Sequence, residues 1–404
     1  MGVRRLGLPV AGLALALALA LAPAGSVGPA GADDPQGRPL EQRPLLLILL
    51  TDPQHPAPAH SPGYYERLVT AADPSIAGYY RAQSQGRFTY TEAGRVSVTD
   101  TGEPGPGRQE RALMLAARSG YAFAAHDTDR NGTLTGAELT VLVVDNLSEG
   151  EGMTRKVCRR LPGRADPGVR YCSNVASVGH RSSLQNYVHE LAHTLTPPAV
   201  DLYGPAHRCL SRGLTLMSCT AGAADDPDRL MALDPIHRRE YGWLPSEPVH
   251  RPGSSRSYVL QPAGSGPAQP LTSDGSTVTY PRPGGAERMT FEVRSPSPFD
   301  TRLPDSGLYV WYDAGTFPPS WTPSLSTPGE LDPAAFVLSP DHCVLTPTSR
   351  TGRGRGTPIG PGTYRLQWLD GRDSGTLLTV RPADRAGRVR LDLHPSRAAP
   401  TCDS

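Results

Sequence analysis

One short stretch of the chain is apolar at every position rather than every second one: Leu45 to Leu50 follows Pro44 without a polar break. A run of this kind predicts a strand covered on both faces. Leu139 to Val144 is rich in β-branched residues, which predicts a second strand. Phe88 to Val98 roughly alternates, which predicts a further strand. Asp73-Pro74-Ser75 predicts a helix start, with Asp73 as cap and Pro74 in the first turn. Gln109 to Ala117 predicts a second helix. Leu184, Val188, Leu191 and Leu195 fall at helical spacing, with Ser182 and Ser183 before them and Pro197-Pro198 as the stop. Ser148 to Arg181 shows neither period and reads as loop. Beyond about His250 the helical signals vanish. Arg251 to Thr277 reads as linker or long loops. Short alternating runs then follow at Met289–Arg294, Leu308–Tyr312, Tyr364–Leu369, Thr376–Val380 and Val389–Leu393, which predict a β-sandwich. The order of elements predicts an α+β chain with a mixed sheet, followed by a β-rich region.

Composition narrows this picture. The 404 residues suit two domains, and 43 Gly with 43 Pro imply many loops and few helices. A net charge of +1 argues against nucleic acid as the main partner. Arg4 and Arg5, the apolar run Leu8 to Ala22 and Ala30-Gly31-Ala32 predict a signal peptide over residues 1–32 and a secreted, extracellular product with no stable membrane insertion. Residues 33–44 read as a flexible lead-in. Six cysteines suit an oxidising compartment and three disulfides. Proximity favours Cys158 with Cys172, Cys209 with Cys219, and Cys343 with Cys402.

Candidate chemistry centres on His189-Glu190-Leu191-Ala192-His193. On a helix, residues four apart share a face, so His189 and His193 project together. Two neutral imidazoles placed this way suit zinc. Glu190 is placed to act as general base toward the attacking water. A catalytic zinc needs a third protein ligand; Asp201 is the first candidate and His207 the runner-up. Met217, in Leu216-Met217-Ser218, reads as a Met-turn beneath the metal or as an ordinary core methionine. Separately, Asp127 to Glu138 has the layout of a calcium loop, with Asp127, Asp129, Asn131, the Thr133 carbonyl and Glu138 as ligands and Gly132 at the sharp turn. An ion-free Asx-rich turn is the alternative.

Together these segments resemble the M6 peptidases, the immune inhibitor A type of secreted bacterial zinc metalloprotease. The resemblance runs over roughly residues 45 to 315. It is carried by Leu45–Thr51, Pro74–Tyr80 with Ser84-Gln85-Gly86, Asp127–Gly132, H-E-L-A-H-T-L, Asp201-Leu202-Tyr203, Met217-Ser218, Leu233 to Leu244, which resembles the helix that closes the family's catalytic domain, and Phe291–Arg294 with the segments to Trp311. Three positions depart from the family pattern. Thr196 stands at its glycine, Asp201 comes two residues late, and Tyr312 stands where a histidine is frequent. The resemblance implies a metzincin-like catalytic domain over 45–248, a β-rich region over 249–404, Zn2+ with Ca2+ as a further candidate, and protein or peptide substrates for a monomer. The expected function is a secreted zinc endopeptidase. The alternatives are a catalytically impaired binding protein of the same fold, or a calcium-dependent adhesion module.

Overall fold

The first strand, β1 (Glu41–Thr51), sends alternate side chains into two different cores. Leu45, Leu47 and Leu49 join one, and Leu46, Ile48 and Leu50 join the other. This two-sided burial is why the run lacks polar positions. The computed structural model describes residues 41–70, 74–102, 107–146, 152–162, 168–199, 201, 215–217, 230–244, 247–263, 275–301, 303, 305–313, 358–368 and 372–396. Predicted features that lie outside the described residues are the 1–32 segment, residues 33–40 of the lead-in, Asp73, Leu202-Tyr203, His207, Ser218, and the cysteines at 209, 219, 343 and 402.

β1 lies between β2 (Phe88–Thr99) and β4 (Thr140–Asp145), parallel to both. β6 (Arg170–Gly179) continues the sheet, parallel to β4 and to the two-residue β3 (Thr133–Leu134). β5 (Gly152–Arg160) runs antiparallel to β6 and makes the sheet mixed. Helices α1 (Pro62–Thr70), α2 (Ile76–Gln83) and α4 (Leu184–Ala192) contribute to the core on one face; α3 (Arg108–Ser119) covers the other. The fold is thus α+β, rich in sheet and poor in helix. None of the described helices is long and apolar enough to cross a membrane.

Beyond α5 (Pro235–Glu240), two antiparallel sheets share one hydrophobic core. One contains β8 (Thr277–Pro281), β9 (Arg288–Arg294) and β10 (Gly307–Asp313). The other contains β7 (Arg256–Leu260), β11 (Gly362–Gln367), β12 (Asp373–Val380) and β13 (Val389–Pro395). A buried ion pair ties α5 to this region, and a second lies within the region itself. Arg238 meets Glu292, which also accepts from Trp311 Nε1 at 2.8 Å, and Arg294 pairs with Asp300 at 2.6 Å.

Several expectations are corrected. Residues 41–44 of the expected flexible lead-in belong to β1, because Glu41 to Pro44 pair with Phe88 to Thr91. Pro44 is tolerated there because β4 starts alongside only at Leu45. Ser75, not Asp73, caps α2, accepting from Gly78 N–H at 3.0 Å. The supposed loop at 148–181 contains the β5–β6 hairpin, stapled by the Cys158–Cys172 disulfide between directly opposed residues. An edge strand exposes most of its side chains, so β5 shows no apolar period. The supposed linker at 251–277 holds β7. Leu233–Leu244 forms only the short α5.

His250, fully buried at the start of the sandwich, gives the first testable consequence. Its Nδ1 meets the Tyr258 hydroxyl at 3.0 Å, and its Nε2 has no hydrogen-bond partner among the described residues. Burial, with Arg256 adding to it, pushes the imidazole down to about 4. A histidine kept neutral in the fold but free to charge when unfolded favours folding above about pH 6.5. That advantage is lost as pH falls toward 4. Each pH unit that separates the folded from the unfolded titration is worth about 1.36 kcal/mol, so between pH 7.5 and 4.5 this group costs roughly 2 to 3 kcal/mol of stability. Urea unfolding should show His250→Gln losing that much less stability over this interval than the native chain. Equal losses would remove His250 from the account.

Candidate metal centre

Helix α4 carries the H-E-x-x-H residues along a largely buried stretch from Tyr187 to Ala192. The helix stops earlier than the prolines require. Ala192 is its last residue and His193 is the C-cap, in right-handed helical conformation. The Thr196–Pro197 peptide is cis. The chain then turns back, and Ala199 N–H donates to the Ala192 carbonyl at 3.1 Å. Asp201, two residues beyond Ala199, lies close to both imidazoles.

The return closes a triangle. His189 Nε2 and His193 Nε2 are 3.3 Å apart, and Asp201 Oδ1 lies 3.3 Å from the first and 3.4 Å from the second. A tetrahedral ion with bonds of about 2.0–2.1 Å sets its ligand atoms about 3.3–3.4 Å from one another. The tautomers agree with this. His189 Nδ1–H donates to the Leu216 carbonyl at 2.9 Å, and His193 Nδ1–H donates to the Ala199 carbonyl at 2.8 Å. Each neutral ring therefore turns an Nε2 lone pair inward. Asp201 Oδ1 is buried and lacks a hydrogen bond of good geometry. Three acceptors facing each other at this separation need a cation between them, and the donor set of two imidazoles and a carboxylate fits zinc.

Without an ion, a proton takes that place. Burial works to lower the His189 pKa, but the Asp201 carboxylate, with Glu190 and the Leu216 carbonyl, outweighs it and holds the imidazole at about 9. Burial pulls Asp201 in the opposite direction from His189 and His193, which win and keep its carboxyl well below the usual range.

Glu190 is buried beside the triangle, and one of its carboxylate oxygens lies within 4.8 Å of a nitrogen on each histidine. Two features of β5 adjoin it. The Thr154 hydroxyl reaches both Glu190 Oε2, at 2.8 Å, and the Glu190 carbonyl, at 2.9 Å, and the backbone of Gly152 lies against the carboxylate. Met217 is fully buried in the turn at 215–217, next to the carbonyl that orients His189. That turn is braced from below. Thr215 Oγ1 donates to Asp234 Oδ2 at 2.7 Å, and the same carboxylate oxygen lies 2.8 Å from His237 Nδ1.

Asp127, Asp129 and Glu138 also come together, with carboxylate oxygens within 4.8 Å. Gly132 takes φ of +77°, the left-handed turn expected of it. The loop's own donors also reach several of the candidate ligand oxygens. Asp127 accepts from the Asn131 and Gly132 amides, Asn131 Oδ1 accepts from Thr133 N–H, and Glu138 accepts from Thr128 and Thr135. Partial burial works to raise the Glu138 pKa, but these bonds from the two threonines lower it.

Sequence reasoning did not single out Thr154, Gly152, Thr215, Asp234 or the two supporting carbonyls. A carbonyl carries no sequence signal, since any residue supplies one. The G-x-T spacing of β5 was legible only once that segment was known to be a strand. No family model matches this chain, and no curated protein matches it.

Proposed function

We propose that the chain is an exported zinc endopeptidase, with residues 45–248 as a metzincin-like catalytic domain of M6 type. The observation that carries this reading is the triangle of His189, His193 and Asp201, whose 3.3, 3.3 and 3.4 Å edges match those of a tetrahedral zinc site. The alternative of an impaired binding protein needs Asp201 out of reach of the imidazoles. When bound, the ion supplies Lewis acidity toward a peptide carbonyl and toward water.

The remaining steps belong to side chains of this protein. Glu190 accepts a proton as water oxygen bonds to the scissile carbon, then passes that proton to the nitrogen as the C–N bond breaks. The Leu216 and Ala199 carbonyls hold each imidazole in the tautomer that offers Nε2. Burial of Glu190 keeps bulk water from competing for its carboxylate.

The test is made on the secreted protein. One equivalent of zinc is expected by metal analysis, with cleavage of an unfolded protein substrate that stops on adding a chelator and returns with zinc. A protein with neither zinc nor chelator-sensitive cleavage rules the reading out.

A further inference from the structure

Gly152 and Thr154 are two residues apart on β5, so both turn to the same face of the sheet. That face meets α4. The Thr154 hydroxyl is within hydrogen-bond reach of Glu190 twice, at the backbone carbonyl and at Oε2. At Gly152 the approach is closer than any side chain allows. A Cβ there would stand 2.4 Å from Glu190 Oε1, 2.5 Å from its Cγ and 2.7 Å from its Cδ. Gly152 does not have positive φ, so the backbone itself does not demand glycine. Space for the Glu190 side chain does. The single hydroxyl proton is shared between these two acceptors, the shorter contact being to Oε2, while the other end of the carboxylate rests against bare backbone.

We infer that Gly152 and Thr154 are positioning residues for the general base, holding the Glu190 carboxylate in one orientation beside the metal triangle. This inference rests on the endopeptidase reading and adds to it a role for the edge strand. A glutamate has three rotatable side-chain bonds, and the helix constrains only the first of them well. Proton transfer needs the carboxylate within hydrogen-bond reach of the water it serves. Thr154 supplies a fixed donor on the side of β5. The missing Cβ at Gly152 leaves the space in which the group sits.

The two positions are separable by mutation. Thr154→Val keeps shape and strand propensity but removes the donor. Thr154→Ser keeps the donor. Gly152→Ala forces only the flexible end of Glu190 to move, so the fold should survive while the carboxylate is displaced. Removing a hydrogen bond to a charged group is expected to lower kcat for a peptide substrate about 10- to 100-fold in Thr154→Val. KM, zinc content and Tm should hold. Thr154→Ser should recover most of the rate, and Gly152→Ala should show a loss like that of Thr154→Val. Crystal structures of the metal-free variants give a readout independent of turnover. Glu190 should leave its native rotamer in Thr154→Val and Gly152→Ala, and keep it in Thr154→Ser.

An active native enzyme with Thr154→Val at full kcat, or Glu190 unmoved in both disruptive variants, overturns the positioning role alone. Failure of Thr154→Ser to recover the rate also overturns it, because the effect would then be one of packing. A native protein without zinc-dependent cleavage removes the endopeptidase reading first, and this role with it.

Discussion

Replacing Asp201 by alanine should strip the protein of zinc. Asp201 brings the only negative charge to the triangle, and its Oδ1 is buried with no hydrogen bond of good geometry to hold it otherwise. Two imidazoles on one helix face would remain. Losing an outer partner of a ligand costs about 10- to 100-fold in metal affinity, and losing a ligand itself should exceed that range. Dialysis against a buffered zinc series, followed by metal analysis, measures the change directly. The native chain should retain one equivalent at a free zinc level where Asp201→Ala holds none. Cleavage should fall with occupancy and return at high zinc only as far as occupancy does. Retention of stoichiometric zinc by Asp201→Ala would place the third ligand elsewhere, with His207 the other candidate in the sequence.

Glu190→Gln should have the opposite signature: zinc kept and chemistry lost. Glutamine matches the shape of glutamate and still offers an oxygen to the Thr154 hydroxyl, so the packing against Gly152 survives. It cannot accept the proton from water. A positioned general base contributes about 10²- to 10⁴-fold, so kcat should fall by that factor, which corresponds to roughly 3 to 5 kcal/mol of barrier. Substrate binding should change little. Read together, the two variants divide the site into a part that holds the ion and a part that moves the proton. A Glu190→Gln protein of full activity would break that division.

The outer parts of the centre depend on more distant residues. Asp234 caps α5 through His237 N–H at 3.0 Å, accepts from Thr215, and faces the His237 ring. All three side chains are fully buried. Burial works to lower the His237 pKa, but Asp234 outweighs it and raises it; His237 in turn overcomes the upward pull of burial on Asp234 and lowers it. The same cluster reaches the site through the turn carrying Leu216, whose carbonyl orients His189. The β-rich region reaches it from the other side, because Arg238 of α5 is paired with Glu292 of β9. α5 thus links the site to both.

How much of this was legible in advance differed from element to element. β1 and β4 were legible because their central residues, Leu45–Leu50 and Val141–Val144, are buried on both faces and all apolar, the buried polar residues Thr140 and Asp145 standing only at the ends of β4. β5 was not, because at a sheet edge only Val157 of its nine residues is buried. β7 was hidden in a stretch rich in Gly, Ser and Pro. Ser75 rather than Asp73 caps α2, a shift of two residues that composition could not resolve, since both residue types cap well.

The amino-acid order alone determined that His189 and His193 share a helix face with Glu190 between them, since that follows from 3.6 residues per turn. It also named Asp201, by type and proximity, as a candidate partner. Whether its carboxylate came within bonding range of both rings was decided by the return of the chain through Thr196 to Ala199, a conformation that depends on the whole surrounding core. The tertiary structure likewise decided what supports the site: two carbonyls, a hydroxyl on an edge strand and a glycine with no room beside it. Most of these contacts join residues tens of positions apart, and spacing along a chain carries no information about which distant backbone atom will arrive.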